Sequence, residues 1–444
     1  MLIEKNADKL VKTLRFQIQD EPGYLGRLCS AIGQTGGNIG EVKTVSLGLL
    51  RNTRELTIYV DDEAHLHRVV DAVRPLQGIE LLDVTDEVLR RHEGGKIAVT
   101  SRYPLDTIAD MRKVYTPGVA TVCRLLQANP QAAARYTSIG NTVGIITNGT
   151  AVLGLGAIGP VAGMPVMEGK AVLLERLAGI NGVPILLDTT DVTAFVECVI
   201  RMAPTFGAIN LEDIAAPACF EIEARLQKAL PIPVMHDDQH GTAVVVLASL
   251  LRACLLSGLD LAEQTVGVIG LGAAGTGIAR LLLSYGVRRL VGTDLLPEAM
   301  DRLERVGGRR STLAGLMAEA TIVVATTGAP GLISPQLVRK GQVILALSNP
   351  NAEIRPEDAL AAGAAFAADG KVVNNALAFP GIFRGALDAR VCRITDEMKI
   401  AAAGAIAARA SEGELVPDIL DRSVHQGVAR AVTDAGQDPG APSR

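Results

Sequence analysis

Apolar and polar positions repeat with two different periods in the first part of the chain, and the periods predict a small unit of strands and helices. Residues 13–19 (TLRFQIQ) alternate polar and apolar side chains, as a half-buried strand does. Residues 24–34 instead place apolar side chains at helical spacing, and a Gly-Gly pair follows them. The full predicted series is strand 13–19, helix 24–34, strand 38–49, strand 54–60, helix 64–74 and strand 79–84. The order βαββαβ is that of a ferredoxin-like unit.

Strands and helices alternate from residue 97 to about residue 428, which predicts α/β layers with mainly parallel strands. A charged stretch with two glycines, 90–96 (RRHEGGK), has the composition of a linker between this part and the first unit. The tail 434–444 (DAGQDPGAPSR) has the composition of a frayed terminus.

Composition narrows the class of protein. The net charge is −5, and lysine and arginine are scattered along the chain, so we expect no nucleic-acid partner. The most apolar window, 242–251, is shorter than a membrane span and ends at Arg252, so we expect a buried helix and no membrane association. The six cysteines lie far apart, and the charged N-terminus has no apolar signal core. We therefore expect a cytoplasmic protein.

A complete dinucleotide-binding pattern lies in the second half of the chain. Strand 265–269 (TVGVI) runs into a GxGxxG turn and helix 276–285, and strand 289–293 ends in an acid 19 residues after the last glycine. Such a turn brings backbone N–H groups of a helix N-terminus to a pyrophosphate, and the acid accepts the ribose hydroxyls. That carboxylate would repel a 2′-phosphate, which favours NAD over NADP. The predicted cofactor-binding residues are Gly270, Gly272, Ala273, Ala274, Gly275 and Asp294.

A second GxGxxG match at 154–159 has a different context. The Asn148-Gly149 pair between 144–147 and 150–153 predicts a hairpin with a type I′ turn, not a lone strand before the glycines. Pro160 follows at once, and no acid closes a later strand at the required distance. We expect a flexible loop near the substrate here, not a second nucleotide site.

Carboxylates follow two of the predicted strands. Glu212 and Asp213 come after 206–210, and HDDQH at 236–240 comes after 233–235. Because the carboxyl ends of parallel strands meet at one crevice, these side chains should converge, and oxygen ligands without a nearby cysteine favour Mg²⁺ or Mn²⁺. Two other interpretations remain open, namely capping of the following helix by Asp237 or Asp238, and a zinc site at the two histidines.

Lys170 and Tyr115 are candidates for proton transfer. Lys170 precedes the predicted helix 171–177, and a lysine at a helix start has a lowered pKa because the helix dipole is positive there. An ordinary surface lysine is the alternative. Tyr115 stands before a Pro-Gly turn, where its hydroxyl could enter a cleft or where its ring could simply pack at the edge of a core.

These residues together resemble the malic enzyme family in its short bacterial form. The similarity runs from about residue 97 to 428 through VYTPGVA (114–120), PVMEGKAVL (165–173), EDIAAPACFEIE (212–223), HDDQHGTA (236–243), GLGAAG (270–275), LSNP (347–350) and NNALAFPGIFRGALD (374–388). The resemblance implies oxidative decarboxylation of L-malate to pyruvate and CO2, with NAD or NADP and with Mg²⁺ or Mn²⁺. The implied fold is an α/β catalytic domain followed by a Rossmann-type NAD-binding domain.

The same resemblance implies roles for single residues. Lys170 would be the general base and Tyr115 the general acid of the reaction. The metal would be bound by Glu212, Asp213 and Asp238. Asp237 would be a further catalytic residue that contacts these ligands and not the metal. The substrate carboxylate would be held by Asn349 and Asn375, with Asn349 also near the nicotinamide. Ala151 stands where larger malic enzymes carry an arginine that grips malate, so other groups must hold that carboxylate.

The N-terminal unit resembles the ACT family of amino-acid-sensing domains through DEPGYLGRL (20–28) and GGNIGEV (36–42). The resemblance implies an effector pocket lined by Asp20, Gly23 and Asn38, between paired domains, for an amino acid or another small ligand. A plain dimerisation module is the alternative. We expect a homodimer or larger homo-oligomer.

The expected division of the chain is thus an ACT-like regulatory domain at 1–90, a malic enzyme catalytic domain at 91–240 and an NAD(P)-binding Rossmann domain with C-terminal helices at 241–444. Three rival functions share parts of this pattern. Malolactic conversion would reduce pyruvate to lactate before release. A non-enzymatic sensor on a dead scaffold would not need the set of Tyr115, Lys170 and the carboxylates. An amino-acid dehydrogenase would not need the acidic segments at 212–214 and 236–240.

Overall fold

The structure is a computed structural model that describes residues 6, 9–152, 154–348, 351–370 and 373–437. The chain divides into two compact units, Met1–Ala98 and Val99–Arg444.

The first unit is the expected four-stranded antiparallel sheet with helices. Its elements are β1 (Leu10–Gln19), α1 (Tyr24–Gln34), β2 (Asn38–Ser46), β3 (Arg51–Val60), α2 (Glu63–Val73), β4 (Ile79–Asp86) and α3 (Glu87–His92). The strand order is β2-β3-β1-β4, which confirms the βαββαβ prediction. Alternate residues of β1, Leu14, Phe16 and Ile18, are fully buried and pack with α1 and α2. Helix α3 occupies part of the stretch that was expected to be a linker.

The second unit begins with a parallel sheet and its helices. These elements are α4 (Ile108–Val114), α5 (Val119–Ala128), α6 (Ala133–Tyr136), β5 (Thr142–Thr147), α7 (Pro160–Ala178), β6 (Asn181–Leu186), α8 (Val192–Met202), β7 (Ala208–Leu211), α9 (Ala218–Ala229) and β8 (Val234–His236). The strand order is β6-β5-β7-β8, with all pairs parallel.

The prediction of a hairpin around Asn148-Gly149 was wrong. All six residues of β5 are buried, and the parallel strands β6 and β7 occupy both of its edges. No edge is left for an antiparallel partner, so the Asn-Gly pair instead begins the loop to α7. In that loop Val152 makes only an isolated bridge with Gly156.

The rest of the second unit is a doubly wound nucleotide-binding fold. Its elements are α10 (Asp237–Ser257), β9 (Thr265–Ile269), α11 (Ala273–Tyr285), β10 (Arg289–Thr293), α12 (Pro297–Arg305), β11 (Arg309–Arg310), α13 (Leu313–Glu319), β12 (Ile322–Ala325), β13 (Val343–Ala346), α14 (Pro356–Ala361), β14 (Phe366–Asp369), α15 (Phe379–Ala389), α16 (Asp396–Ala407) and α17 (Arg422–Gly436). The parallel order β11-β10-β9-β12-β13-β14 reverses between β9 and β12, which is where such sheets bind dinucleotides. The α/β prediction with a Rossmann-type half is confirmed.

Helix α10 is buried in the interior of the second unit. By length and composition alone it could cross a membrane, but 67% of its most apolar window is buried inside the fold. Core helices pass the same test, so this is weak evidence for a membrane span. The prediction of a buried helix at this position is confirmed.

Candidate active site

The predicted carboxylates meet at the carboxyl ends of β7 and β8. Carboxylate oxygens of Glu212, Asp213 and Asp238 lie within 4.8 Å of one another. The backbone N–H of Asp213 donates to Oδ2 of Asp238 at 3.0 Å, and Asp213 has a left-handed backbone with φ 53°. A non-glycine residue in that conformation is strained and is typical of functional sites. Parallel strand ends thus produce a compact cluster of oxygen donors.

Neither alternative for the acidic segment agrees with this geometry. Helix α10 begins at Asp237, and its N-cap residue His236 makes no capping hydrogen bond through its side chain. Asp237 and Asp238 are therefore inside the helix and do not cap it. His240 Nε2 is hydrogen-bonded to Oε2 of Glu223 at 3.0 Å, so the two histidines do not share one ion.

Lys170 lies at the centre of the cluster and is only 8% exposed. Its ammonium group is 3.0 Å from Oε1 of Glu212, donates to Asp237 and lies 4.4 Å from the centre of the Phe379 ring. Burial by itself lowers the pKa of Lys170, but the negative charges of Asp237, Glu212 and Asp238 outweigh burial and raise it.

The expected position of Lys170 at a helix start was wrong. Helix α7 begins at Pro160, so Lys170 is in its interior and the positive end of the helix dipole is distant. Pro165, five residues before Lys170, also lies inside this helix. The electrostatics of Lys170 are therefore set by carboxylates from β7 and α10, not by the dipole of its own helix.

Asp237 connects Lys170 to a distant part of the chain. It is fully buried, and its Oδ2 accepts a hydrogen bond from Nδ2 of Asn375 at 2.8 Å. Burial, together with the charge of Glu212, raises the pKa of Asp237 to about 7 although Lys170 opposes the shift. Burial likewise raises the pKa of Glu212 to about 7 and that of Asp238 to about 6. So many buried carboxylates with one lysine leave a site that favours a further cation.

Glu223 is a buried residue of the site that the sequence reasoning missed. Its Oε1 accepts the backbone N–H of His236 at 2.8 Å, and its Oε2 contacts His240. The charge of His240 and these hydrogen bonds outweigh burial and lower the pKa of Glu223 to about 2. The signal was present in the sequence, since Glu223 falls on the apolar face of α9 between Cys219 and Leu226. It fixes the turn that carries Asp237 and Asp238.

The loop with the second glycine pattern lies beside the carboxylates. The backbone N–H of Ala151 donates to the carbonyl oxygen of Asp213 at 3.0 Å. The hydroxyl of Thr150 accepts the backbone N–H of Ala215 at 3.0 Å. Residues 154–159 form no strand–turn–helix nucleotide motif, because β5 already ends at Thr147, seven residues before Gly154.

The first glycine pattern has the geometry of a pyrophosphate cradle. Gly270 has φ +85°, and a Cβ on Gly275 would lie 1.8 Å from the carbonyl oxygen of Gly270. A Cβ on Gly272 would meet nothing within 4 Å, so the backbone there is open to a ligand. Helix α11 begins with Ala273 and Ala274, whose N–H groups are at the helix N-terminus. Asp294 accepts the N–H of Leu271 at 2.6 Å, which ties the acid to this turn.

Other predicted residues are not brought to the cluster. Tyr115 is 68% exposed, and its hydroxyl has no hydrogen bond to any residue in the described part of the chain. Asn349 lies outside the described residues.

In the first unit, Asp20 and Gly23 follow the end of β1, while Asn38 pairs with Tyr59 at the opposite end of the sheet. The strands separate these two groups by roughly 30 Å at about 3.3 Å per residue.

Comparisons with known proteins match both units of the chain to models of known domain families. The model of the ACT domain matches residues 9–83. The model of the malic enzyme N-terminal domain matches residues 94–227, and that of the malic enzyme NAD-binding domain matches 239–303 and 299–436.

The chain is 55% identical over 431 residues to NAD-dependent malic enzyme 1 of Bacillus subtilis (strain 168), covering 97% of this chain and 98% of the relative. It is 42% identical to the bifunctional malic/malolactic enzyme of the same organism, covering 81% and 94%. Among solved structures, the malic enzyme from Pyrococcus horikoshii superposes with a TM-score of 0.76 at 38% identity, covering 81% of this chain and 92% of that one. The NAD-dependent malic enzyme from Thermotoga maritima gives 0.74 at 37%, covering 79% and 99%.

Proposed function

Because this chain belongs to the malic enzyme family, we propose that the cluster around Lys170 is the place where it oxidises and decarboxylates malate. The protein is an oxidoreductase that decarboxylates malate with a nicotinamide cofactor and a divalent metal ion. The observation that carries the assignment of the site is the buried lysine in contact with Glu212 and Asp237 beside an acidic triad. Among the described residues, the group of donors that lie close enough to hold one ion consists of carboxylates alone.

The donor set fits Mg²⁺ or Mn²⁺. Glu212, Asp213 and Asp238 supply carboxylate oxygens close enough to bind one ion, and hard divalent cations prefer such ligands. An ion bound there would supply Lewis-acid polarisation of the malate oxygens and a charge that offsets the carboxylates around Lys170.

Lys170 is the proposed general base. A bound divalent ion would offset part of the negative charge that raises the pKa of Lys170, while burial continues to lower that pKa. Lys170 then accepts the proton of the malate C2 hydroxyl as hydride leaves C2 for the nicotinamide. Asp237 holds the ammonium group in place, and Asn375 in turn holds Asp237.

Asn349 and Asn375 are the proposed ligands of the substrate carboxylate, with Asn349 also near the nicotinamide. Support comes from Asn375, whose amide is already at the cluster. Ala151 can offer no side-chain contact to malate, but its loop is fixed next to Asp213.

We propose that Tyr115 donates the proton to C3 after CO2 departs, and that it does so in a homodimer. None of the residues of α4, α5 and α6 is buried, although the segment carries many apolar side chains. Ile108, Val114 and Tyr115 are among those that face solvent. A large apolar surface of this kind is typical of an interface, and a second copy would cover it.

Hybrid dimers would show how Tyr115 reaches its substrate. Tyr115→Phe and Lys170→Met subunits, each inactive alone, are mixed and tested for malate oxidation. Recovery of activity means that one subunit supplies Tyr115 and the other Lys170. No recovery means that each Tyr115 serves the lysine of its own chain. A monomer at all concentrations would contradict the dimer.

The glycine turn and Asp294 are the proposed cofactor site, with a preference for NAD. Gly270, Gly272 and Gly275 leave the space for the pyrophosphate, and the first turn of α11 (Ala273, Ala274) presents N–H groups to it. Asp294 is positioned for the ribose hydroxyls and would repel a 2′-phosphate.

We further propose that the first unit binds an amino acid or a similar effector between two copies. The turn before α1 is tied to β3, since Asn52 donates to Asp20 at 2.7 Å, and Gly23 in that turn has φ +94°. Asn38 can join that turn only from another copy, because it is at the other end of its own sheet. Strand β2 is an edge strand with exposed Val42, which suits such pairing.

Thermal unfolding of the full chain with each amino acid would test the sensing role. A stabilising ligand should lose its effect in Asp20→Ala but keep it in Asp71→Ala, where the exposed carboxylate lies on α2. Stabilisation by no ligand would favour a plain dimerisation module.

The proposed division of the chain remains 1–90, 91–240 and 241–444, supported by the junction of the two units after Ala98 and by the family-model limits. We also propose a cytoplasmic location, which the six separate thiols support.

Formation of reduced nicotinamide from L-malate, with NAD or NADP and with or without Mn²⁺, is the direct test of the site. The wild type should make pyruvate in equal amount, and Lys170→Met should lose about 10²- to 10⁴-fold in rate. Lys228→Met, which alters an exposed lysine of α9, is the matched control. Unchanged turnover in Lys170→Met would refute the site. Lactate without net NADH would instead favour the malolactic reaction, which the name of one Bacillus subtilis relative includes.

A further inference from the structure

One buried carboxylate joins two loops at the edge of the nucleotide-binding sheet. Glu353 lies between β13 and α14 and is fully buried. Its Oε1 accepts hydrogen bonds from the N–H and the hydroxyl of Thr327, at 2.6 and 2.9 Å, and from the hydroxyl of Ser348 at 2.5 Å. Its Oε2 accepts the N–H of Ser348 at 3.3 Å. Thr327 follows β12 and Ser348 follows β13, so the side chain of Glu353 is hydrogen-bonded to both loops.

The four donors to Glu353 among the described residues are all neutral groups. A buried carboxylate carries a desolvation cost, and dipoles offset that cost only when their geometry is well fixed. An apolar side chain of similar size would avoid the desolvation cost but would leave the N–H groups of Thr327 and Ser348 without an acceptor. The carboxylate is therefore the group that holds the backbone of both loops in one arrangement.

The two loops lie where the cofactor must bind. The strand order reverses between β9 and β12, and a dinucleotide occupies the crevice outside the carboxyl ends at that point. The hydroxyl of Thr326 donates to the carbonyl oxygen of Gly270 at 3.1 Å, and the N–H of Gly328 donates to the hydroxyl of Ser348 at 2.7 Å. Because Thr326 and Thr327 are adjacent in the chain, these hydrogen bonds connect Glu353 to the glycine turn through one segment after β12.

We propose that Glu353 is a positioning residue for the nicotinamide cofactor. It keeps the loops after β12 and β13 in the shape that the bound dinucleotide requires, so that binding does not have to order them first. The inference rests on the proposed cofactor site at the glycine turn. Loss of the carboxylate leaves the N–H groups of Thr327 and Ser348 without their acceptor, and the loops separate.

Direct binding of NADH, followed by its fluorescence, tests the role without relying on turnover. In Glu353→Met, which removes both acceptor oxygens at a similar side-chain volume, the Kd for NADH should rise about tenfold or more, because part of the binding free energy is spent on closing the loops. Affinity for Mn²⁺, measured by electron paramagnetic resonance, should stay as in the wild type. The matched control is Glu357→Met, which removes an exposed carboxylate on α14 and should change neither affinity.

Ser348→Ala provides a second, milder variant should Glu353→Met fail to fold. It removes one donor to Glu353 and the acceptor of the Gly328 N–H, and it should also weaken NADH binding. An unchanged NADH affinity in whichever variant folds overturns the inference. An equal loss of NADH and Mn²⁺ affinity also overturns it, because that pattern indicates a general structural role. Absence of NADH binding by the wild type would instead refute the cofactor site itself.

Discussion

Replacing Gly277 by alanine tests how closely helices α11 and α10 pack, which carry residues of the proposed cofactor and metal sites. Gly277 lies in α11, and an added Cβ would be 2.4 Å from the carbonyl oxygen of Gln239 in the first turn of α10. Real Cβ atoms essentially never come closer than 3.0 Å to another heavy atom. The obstacle is backbone, so the helices must separate by about 0.6 Å, the difference between the two distances.

A shift of this size is large for the site, because Gln239 directly follows Asp238. Metal–ligand distances tolerate only about 0.2 Å. If α11 moves instead, the glycine turn at its start moves with it. Since a misplacement of about 1 Å can cost about 10²-fold in rate, we expect kcat/KM to fall roughly 10- to 100-fold. Overpacking costs about 1–3 kcal/mol, and the better helix propensity of alanine offsets up to about 1 kcal/mol.

The assay is kcat/KM for malate at saturating NAD and Mn²⁺, together with the free energy of unfolding from urea titration. The control is Gly404→Ala in α16, where an added Cβ meets nothing within 4 Å. That variant should keep its activity and gain about 0.5–1 kcal/mol of stability. Wild-type activity in Gly277→Ala, with stability raised as in the control, would refute the packing argument.

Three further predictions concern the metal and the cofactor. Glu223→Met should weaken Mn²⁺ binding about 10- to 100-fold, because the N–H of His236 in the turn before Asp238 loses its acceptor; unchanged calorimetric affinity would contradict this. Raised pKa values of about 7 for Glu212 and about 6 for Asp238 mean that protons compete with the metal, so Mn²⁺ affinity should be full above about pH 7 and fall below about pH 6. A flat affinity across that range would show that the carboxylates ionise normally. Asp294→Ser should raise the ratio of kcat/KM for NADP to that for NAD about tenfold, since the carboxylate no longer repels a 2′-phosphate, and an unchanged ratio would count against Asp294 as the discriminating residue.

Periodicity in the sequence was sufficient to predict the layers of this fold. The alternation in β1 and the helical spacing in α1 gave the antiparallel unit, and the glycine turn between β9 and α11 gave the nucleotide-binding half. The convergence of Glu212 with Asp238 was also predictable, because parallel strands place their carboxyl ends along one edge.

Features that depend on tertiary contacts were not predictable in this way. The Asn148-Gly149 pair has the local signature of a hairpin, but pairing of β5 with β6 and β7 overrides it. A helix start was predicted at Lys170, yet α7 already begins at Pro160 and contains Pro165. Lys170 contacts Asp237, which is 67 positions away in the chain, and Phe379, which is farther still, so its pKa could not be inferred from neighbours in sequence.

Helix α10 makes the two halves of the second unit inseparable. Its N-terminal turn carries metal-site carboxylates, and its apolar length belongs to a single core that contains both Val143 and Ile145 of β5 and Val266 and Val268 of β9. Cutting the chain near residue 240 would expose that shared core on both fragments, so neither half should be obtainable as an independently folding protein. Chimeras that exchange the cofactor half between relatives would have to transfer α10 together with its packing partners in both sheets. Cofactor specificity can therefore be changed more readily by point substitutions at the glycine turn than by exchange of whole domains.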